Sequence, residues 1–356
     1  MTAGRKTPVT VIADALSAAQ SLGRHPQDHG WRELYRLFAY GLELEAPELS
    51  NTIVTFHKAR PECSLAHLMT LLGIAVKEVR PDSFDDLIKT EDPSANRLEV
   101  LEATLRERGE DVAGILALRQ NSFTAARRFL IVQVILGAYF ENAAPGSRVN
   151  FADIGTGLGL LPRQLNSRRL FNRFSRELLW DGQEPSFRAI PLGARFGVDR
   201  GPMPDLRWVH ACYGATAYYA ALYQELVLSL RLPEVYAADV SYTEFDILDH
   251  DALASFVHEQ RLNAVNLSYV LYEIEPGRRG NIIEVLRHAL HPPKVILITE
   301  PVAELAQPGC TVTLYEESTV FPQRLCAVSD GHFRGSVRPL EDYDSFIGRH
   351  PIRMRF

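Results

Sequence analysis

Three glycines at alternate positions, Gly155, Gly157 and Gly159, follow Asp153 in the stretch VNFADIGTGLGLLPRQL, residues 149–165. An apolar lead, a glycine-rich turn and an amphipathic run predict a strand, a tight turn and a helix whose backbone can approach a ligand closely. A dinucleotide turn of the form G-x-G-x-x-G needs its third glycine at position 160, which is Leu160 here. No Gly-Lys-Ser/Thr follows, so a Walker-type phosphate loop is excluded. Asp153 would repel a pyrophosphate and suits a ligand with a cationic amino group. Two other titratable groups, His210 in RWVHAC and Glu273 in LYEIE, stand as candidate acid–base residues.

The elements that position these groups change character along the chain. Up to about residue 145, VTVIADALSAAQSLG, HGWRELYRLFAYGLEL, SLAHLMTLLGIAVKEV and SANRLEVLEATLRERG place apolar residues at helical spacing. Ser94 is the expected N-cap of the last of these and Gly109 its expected stop. SFTAARRFLIVQVILGAYFEN reads as the longest helix, and AAPGSR marks a domain boundary. From 146 to 356 strands and helices alternate: RVNFADIG, ARFGVD, VYAADVSYTEFDI, NAVNLSYVL and KVILITEP are the expected strands. LLPRQLNSRRLFNRF, TAYYAALYQELVLSLRL, HDALASFVHEQ and RRGNIIEVLRHAL are the helices between them, with CTVTLYEE and PIRMRF as expected edge strands. That alternation predicts an α/β fold with a doubly wound, mainly parallel sheet, preceded by an all-α N-terminal domain.

With these strands in place, ADIGTGLG resembles the first motif of the class I S-adenosylmethionine-dependent methyltransferases, and the likeness continues for about two hundred residues. It implies a Rossmann-like domain that binds S-adenosyl-L-methionine and releases S-adenosyl-L-homocysteine. Asp153, Gly155, Thr156, Gly157 and Gly159 would then form the cofactor turn. Asp199 of FGVD would bind the ribose hydroxyls, and Asp246 with Ile247 in EFDILDHDAL would meet the adenine. Asn266 and Leu267 would flank the cofactor from the fourth core strand, in AVNLSYVLYEIEPGRRGNIIEVLRHALHPPKVILITEP. NLSY resembles the Asn-Pro-Pro-Tyr motif of amine-methylating members without its prolines, and an ordinary strand end is the simpler reading. About forty residues separate Gly159 from Asp199, so LLWDGQEPSFRAIPLG must loop out unless another acid takes this role.

The resemblance also implies that helical elements cover the cofactor, which makes Asn121, Ser122 and Arg127 candidate acceptor contacts. Tyr213, Tyr269 and Tyr272 are further candidates for the acceptor pocket, and Tyr218, Tyr219 and Tyr223 lie close to the first of them. Methyl transfer depends chiefly on orientation and desolvation, with a general base needed only for a poorly ionised hydroxyl or a protonated amine. Arg163, Arg168, Arg169, Arg173 and Arg176 form a basic run whose default reading is a solvated helix face.

Composition narrows the classes. A 356-residue chain accommodates two domains, and a net charge of −6 argues against a general nucleic-acid binder. Cys63, Cys212, Cys310 and Cys326 lie far apart, and His25/His29 and His288/His291 join no acidic or cysteine cluster, so no metal site is expected. The longest apolar runs are about twelve residues, short of the roughly twenty a membrane span requires. The expectation is a cytoplasmic enzyme that methylates an oxygen or nitrogen of a small-molecule acceptor, with the helical domain as lid and candidate dimer contact. The competing reading is a non-catalytic relative that serves as a binding or scaffolding protein.

Overall fold

The computed structural model describes residues 6–24, 29–92, 94–143, 146, 148–181, 184–214, 216–302 and 309–352. Apolar residues at helical spacing fold the first part into Pro8–Leu22, His29–Glu43, Pro47–Ala59, Leu65–Val79, Phe84–Ile88 and Ser94–Leu118. Pro47–Ala59 is absent from the expected set. Its proline lies in the first turn, where a missing N–H is harmless, and it buries Leu49, Ile53 and Phe56.

Gly109 does not stop its helix, and Ser94 is the first helical residue instead of a cap outside it. The chain kinks at Arg108 (φ −121°, ψ 18°) and continues, because Leu101, Leu105, Val112 and Leu116 bury one stripe on both sides of the kink. A glycine in an exposed helix interior costs only about 1 kcal/mol, which that burial outweighs.

The largest departure falls at residues 119–128, within which the long helix is expected to begin at Ser122. The helix starts only at Phe129, running to Ala143, and the preceding segment is an open strap. Short polar side chains divert its backbone. Asn121 accepts from the Phe123 N–H (3.1 Å), while the Ser122 and Thr124 hydroxyls donate to carbonyls two residues back. The indole of Trp208 holds the Gln120 carbonyl at 2.9 Å, Gln164 holds that of Ala126 at 2.8 Å, and the Tyr213 hydroxyl donates to that of Thr124.

Among the described residues nine strands form one sheet: β1 (Val149–Ile154), β2 (Leu179–Trp180), β3 (Leu192–Asp199), β4 (Ser241–Glu244), β5 (Ala264–Ser268), β6 (Val295–Pro301), β7 (Cys310–Glu316), β8 (Gln323–Val328) and β9 (Ser336–Pro339). Their order is β2-β9-β8-β7-β6-β5-β1-β3-β4. Five pairings are parallel, and the three joining β6 to β9 are antiparallel. CTVTLYEE is therefore an interior strand, β7, covered on its outer side by a meander that its own alternation does not announce. Of PIRMRF, residues 351 and 352 are not in a strand and the remainder lies outside the described residues.

The long segment before β3 does loop out. It crosses to the far edge of the sheet, where β2 pairs with β9, and returns without displacing Asp199 from the end of β3. The expected helix LLPRQLNSRRLFNRF breaks into Leu160–Gln164 and Arg168–Phe174. Between them Asn166 adopts φ +68°, and its side chain exchanges hydrogen bonds with Ile190 at 2.8 Å in both directions.

Alternation along β1 assigns the two faces of the sheet. Val149 and Phe151 join a core continuous with the N-terminal helices, whereas Ala152 and Ile154 join a second core against Val198, Leu253 and Leu267. Asp153 shares the parity of Phe151, so its side chain lies on the face covered by the helices. β1 stands between β3 and β5, and the chain winds outward from it in opposite directions. The crevice at its carboxyl end is the usual ligand position in such a sheet.

Candidate active site

The turn after β1 contains three residues in the left-handed region, Gly155 (φ +69°), Gly157 (φ +54°) and Gly159 (φ +64°). A side chain is excluded at the first by space as well as by conformation, since its Cβ would lie 2.4 Å from Val270 Cγ2. At Gly157 the N–H points to the Asp199 carboxylate, donating to Oδ2 at 2.9 Å, and the Arg200 N–H donates to Oδ1 at 2.8 Å. Burial pushes the Asp199 carboxyl above its ordinary range, against the pull of these two N–H groups. Asp246 follows β4, accepting the Leu248 N–H at 3.0 Å. Asp249, accepting the Ala252 N–H at 3.0 Å, is the cap of the next helix, which leaves Asp246 at the strand end.

These groups border one cavity of about 240 Å³. Gly155, Gly157, Asp199, Asp246 and Ile247 line it from the sheet side. The strap adds Asn121, Ser122, Phe123 and Arg128, and the segment after β5 adds Tyr269, Tyr272 and Glu273. From the N-terminal helices come Trp31, Tyr35 and His67. Two backbone bonds join that covering to the sheet: Ser64 N–H to the Glu273 carbonyl (2.8 Å) and Glu275 N–H to that of Glu62 (2.9 Å). Arg200 adds a charged link, donating to Glu62 at 2.6 Å and approaching Asp246 at 3.2 Å.

Glu300, at the end of β6, organises the segment after β5. One oxygen accepts the N–H groups of Val270 (3.0 Å) and Leu271 (2.9 Å), and the other that of Tyr272 (2.8 Å). Burial raises its carboxyl to about 7 although all three N–H groups favour the charge. The grip sustains Tyr269 at φ +59°, a conformation that costs a non-glycine residue roughly 1–2 kcal/mol. Arg128 lies over the Tyr269 ring, 3.9 Å from its centroid.

Asp153 and Asn266 are direct partners across β1 and β5, the Asn266 amide donating to Asp153 Oδ1 at 2.7 Å. Both are buried and neither is on the cavity wall. Burial raises the Asp153 carboxyl to about 7, and the Asn266 bond works in the opposite direction. Three other expected cofactor residues also lie off the wall. Thr156 packs against Gly197, Gly159 sits at the start of the following helix, and Leu267 faces the second core.

The expected acceptor and acid–base residues divide similarly. Asn121, Ser122, Tyr269, Tyr272 and Glu273 line the cavity, whereas Arg127, Tyr213 and His210 do not. Arg127 is held in the interior by Glu225 (2.6 and 3.0 Å) and Glu177, and its neighbour Arg128 reaches the cavity instead. Tyr213 is consumed by the strap, and Tyr219 takes the wall position. His210 is exposed because its helix, Leu206–Ala211, turns Trp208 and Val209 inward; its ring packs on Tyr223. The histidines on the wall are His67 and His332, which lie far from the glycine turn in sequence.

Arg168, Arg169, Arg173 and Arg176 are exposed. Among the described residues no group of three His, Cys, Asp or Glu side chains is placed to hold a metal ion, and no helix is long and apolar enough to cross a membrane. His25 lies outside the described residues.

No family model matches the chain, and no curated protein does. Among solved structures it is similar to the rRNA methyltransferase aviRa from Streptomyces viridochromogenes, with 14% identity over 51% of this chain and 78% of that one, at a TM-score of 0.29. It is also similar to the plantazolicin methyltransferase BpumL in complex with SAH (12% identity, 65% of this chain, 59% of that chain, TM-score 0.27). A third is PKMT2 from Rickettsia typhi in complex with AdoHcy (16% identity, 51% of this chain, 25% of that chain, TM-score 0.25). At TM-scores this low, the three likenesses bear on neither the residues of the cavity nor the acceptor.

Proposed function

We propose that this protein is an S-adenosylmethionine-dependent methyltransferase acting on an oxygen or nitrogen of a small-molecule acceptor. The observation that supports it best is the joining of the glycine turn to Asp199 through the Gly157 N–H, with Asp246 on the next strand end and all three facing one cavity. A carboxylate beside a turn this close suits a ribose diol, and Asp246 with Ile247 suits an adenine edge and face. Asp153, buried just behind the wall, bears on the methionine amino group through its ionised form, which grows as pH approaches about 7. Arg128, whose charge acts on Asp153, is the corresponding group for the methionine carboxylate. The helices up to about residue 145 form the lid over the acceptor end.

When bound, S-adenosylmethionine supplies a methyl group on a positively charged sulfur. The chain's own contribution is to hold the ligand by Asp199 and Asp246, to orient the acceptor from the strap and lid, and to keep water out.

Asp199→Ala removes the acceptor of two ligand hydroxyls and also frees the Gly157 N–H. The affinity for S-adenosylhomocysteine, measured by calorimetry, is expected to fall roughly tenfold to a hundredfold, the loss of one or two hydrogen bonds to a charged group. Unchanged affinity would remove Asp199 from the ligand site.

A further inference from the structure

We infer that His67 is the general base of the reaction and that the acceptor is a planar aromatic compound presenting a hydroxyl group. The inference rests on the methyltransferase reading above and names the acceptor class for that same cavity.

His67 belongs to the first turn of Leu65–Val79, its backbone N–H tied to the Ser64 cap at 3.1 Å. It is 1% exposed and lines the cavity, and among the described residues its Nε2 has no hydrogen-bond partner. Leaving a buried polar atom unsatisfied costs about 1–3 kcal/mol, so such a ring in a folded protein points to a ligand that completes it. Glu273 Oε1 stands 3.3 Å from Nδ1 and receives the Tyr272 hydroxyl at 3.1 Å. A carboxylate on that side favours the tautomer with hydrogen on Nδ1, which leaves Nε2 as the acceptor.

The surroundings select the ligand's shape. Trp31, Tyr35, Phe123 and Tyr219 line the same cavity, with the Trp31 and Tyr35 rings nearly parallel at 17° and Phe123 and Tyr219 edge to face at 82°. Walls of this kind accept a flat ring by stacking and edge contact. A carboxylate acceptor would need no base, and its charge would meet Glu273.

In the step itself the acceptor hydroxyl proton passes to His67 Nε2 as the oxygen lone pair forms the new C–O bond to the methyl carbon. The C–S bond breaks with its electron pair retained by sulfur, giving neutral S-adenosylhomocysteine. Glu273 stabilises the imidazolium, which then releases its proton to water.

The test uses three probes of one ring system, naphthol, its methyl ether and naphthylamine, titrated calorimetrically into the full-length protein loaded with S-adenosylhomocysteine. Naphthol is expected to bind about tenfold more tightly than the ether, the margin of one hydrogen bond to a buried acceptor. His67→Asn and Glu273→Gln, each loaded to saturation with S-adenosylhomocysteine, should each erase that margin. Absence of naphthol binding, preference for the amine, or a margin that survives both substitutions overturns the inference while the methyltransferase reading stands. Failure of the wild type to bind S-adenosylhomocysteine removes the methyltransferase reading, and the inference with it.

Discussion

A Gly155→Ala protein is expected to lose S-adenosylhomocysteine affinity by about a hundredfold. The left-handed backbone at this position costs an alanine roughly 1–2 kcal/mol. The new methyl would in addition lie 2.4 Å from Val270 Cγ2. Val270 cannot easily withdraw, because Glu300 holds its N–H and those of the next two residues. Forced overpacking of this kind adds about 1–3 kcal/mol, and each 1.4 kcal/mol is a factor of ten. The strain would be relieved by displacing either the turn or the segment after β5, and both line the cavity. Gly109→Ala is the matched control. It lies within a helix with no atom within 4 Å of the added carbon, so it should be neutral or stabilise by up to about 1 kcal/mol. Wild-type affinity in Gly155→Ala would show that the turn is not part of the binding site.

The second large effect is a dependence on pH set by Asp153 and Glu300. Both carboxyls are raised to about 7 by burial, far above their unfolded values of 3.8 and 4.5. Between those limits the folded protein binds more protons than the unfolded chain, so stability falls as pH rises. The full contribution of each group is present below its unfolded value and is lost by about pH 7, at roughly 1.4 kcal/mol per pH unit over that window as an upper bound. Urea unfolding between pH 4.5 and 7.5 should show this decline, and Asp153→Asn should remove Asp153's share, about half of it. Ligand binding should run the other way. A cationic amino group favours the ionised Asp153, so S-adenosylhomocysteine should bind more tightly as pH approaches about 7. That trend should weaken in Asp153→Asn, the remainder coming from Asp199, whose carboxyl burial also raises. An identical pH profile of affinity in the two proteins would contradict the role of Asp153 toward the amino group.

The sheet was legible because β1, β3, β5 and β6 are short, mainly apolar runs separated by helices, and because the glycine turn marks the end of β1. Asp199 could be placed despite the intervening segment, since that segment contributes an edge strand on the far side of the sheet and leaves β3 beside β1. The covering of the cavity was much less legible. The strap at 119–128 carries apolar spacing that reads as helix, while the hydrogen bonds that straighten it come from Trp208, Gln164 and Tyr213, all distant in sequence. His210 was attractive for its position after β3, yet a single turn of helix decides that it faces outward. His67 sits in a mainly apolar helix and acquires chemical interest only when the bonds from Ser64 and Glu275 bring Glu273 beside it. Glu300 was similarly silent, because its three partners are backbone N–H groups that carry no mark in the sequence.

The central claim is that the crevice at the end of β1 binds S-adenosylmethionine. Calorimetric titration of the full-length protein with S-adenosylmethionine, S-adenosylhomocysteine and NAD tests it most directly. Binding of the two sulfur nucleosides with dissociation constants on the order of micromolar, and no binding of NAD, is the predicted result. NAD binding, or no heat from either sulfur nucleoside, would contradict it.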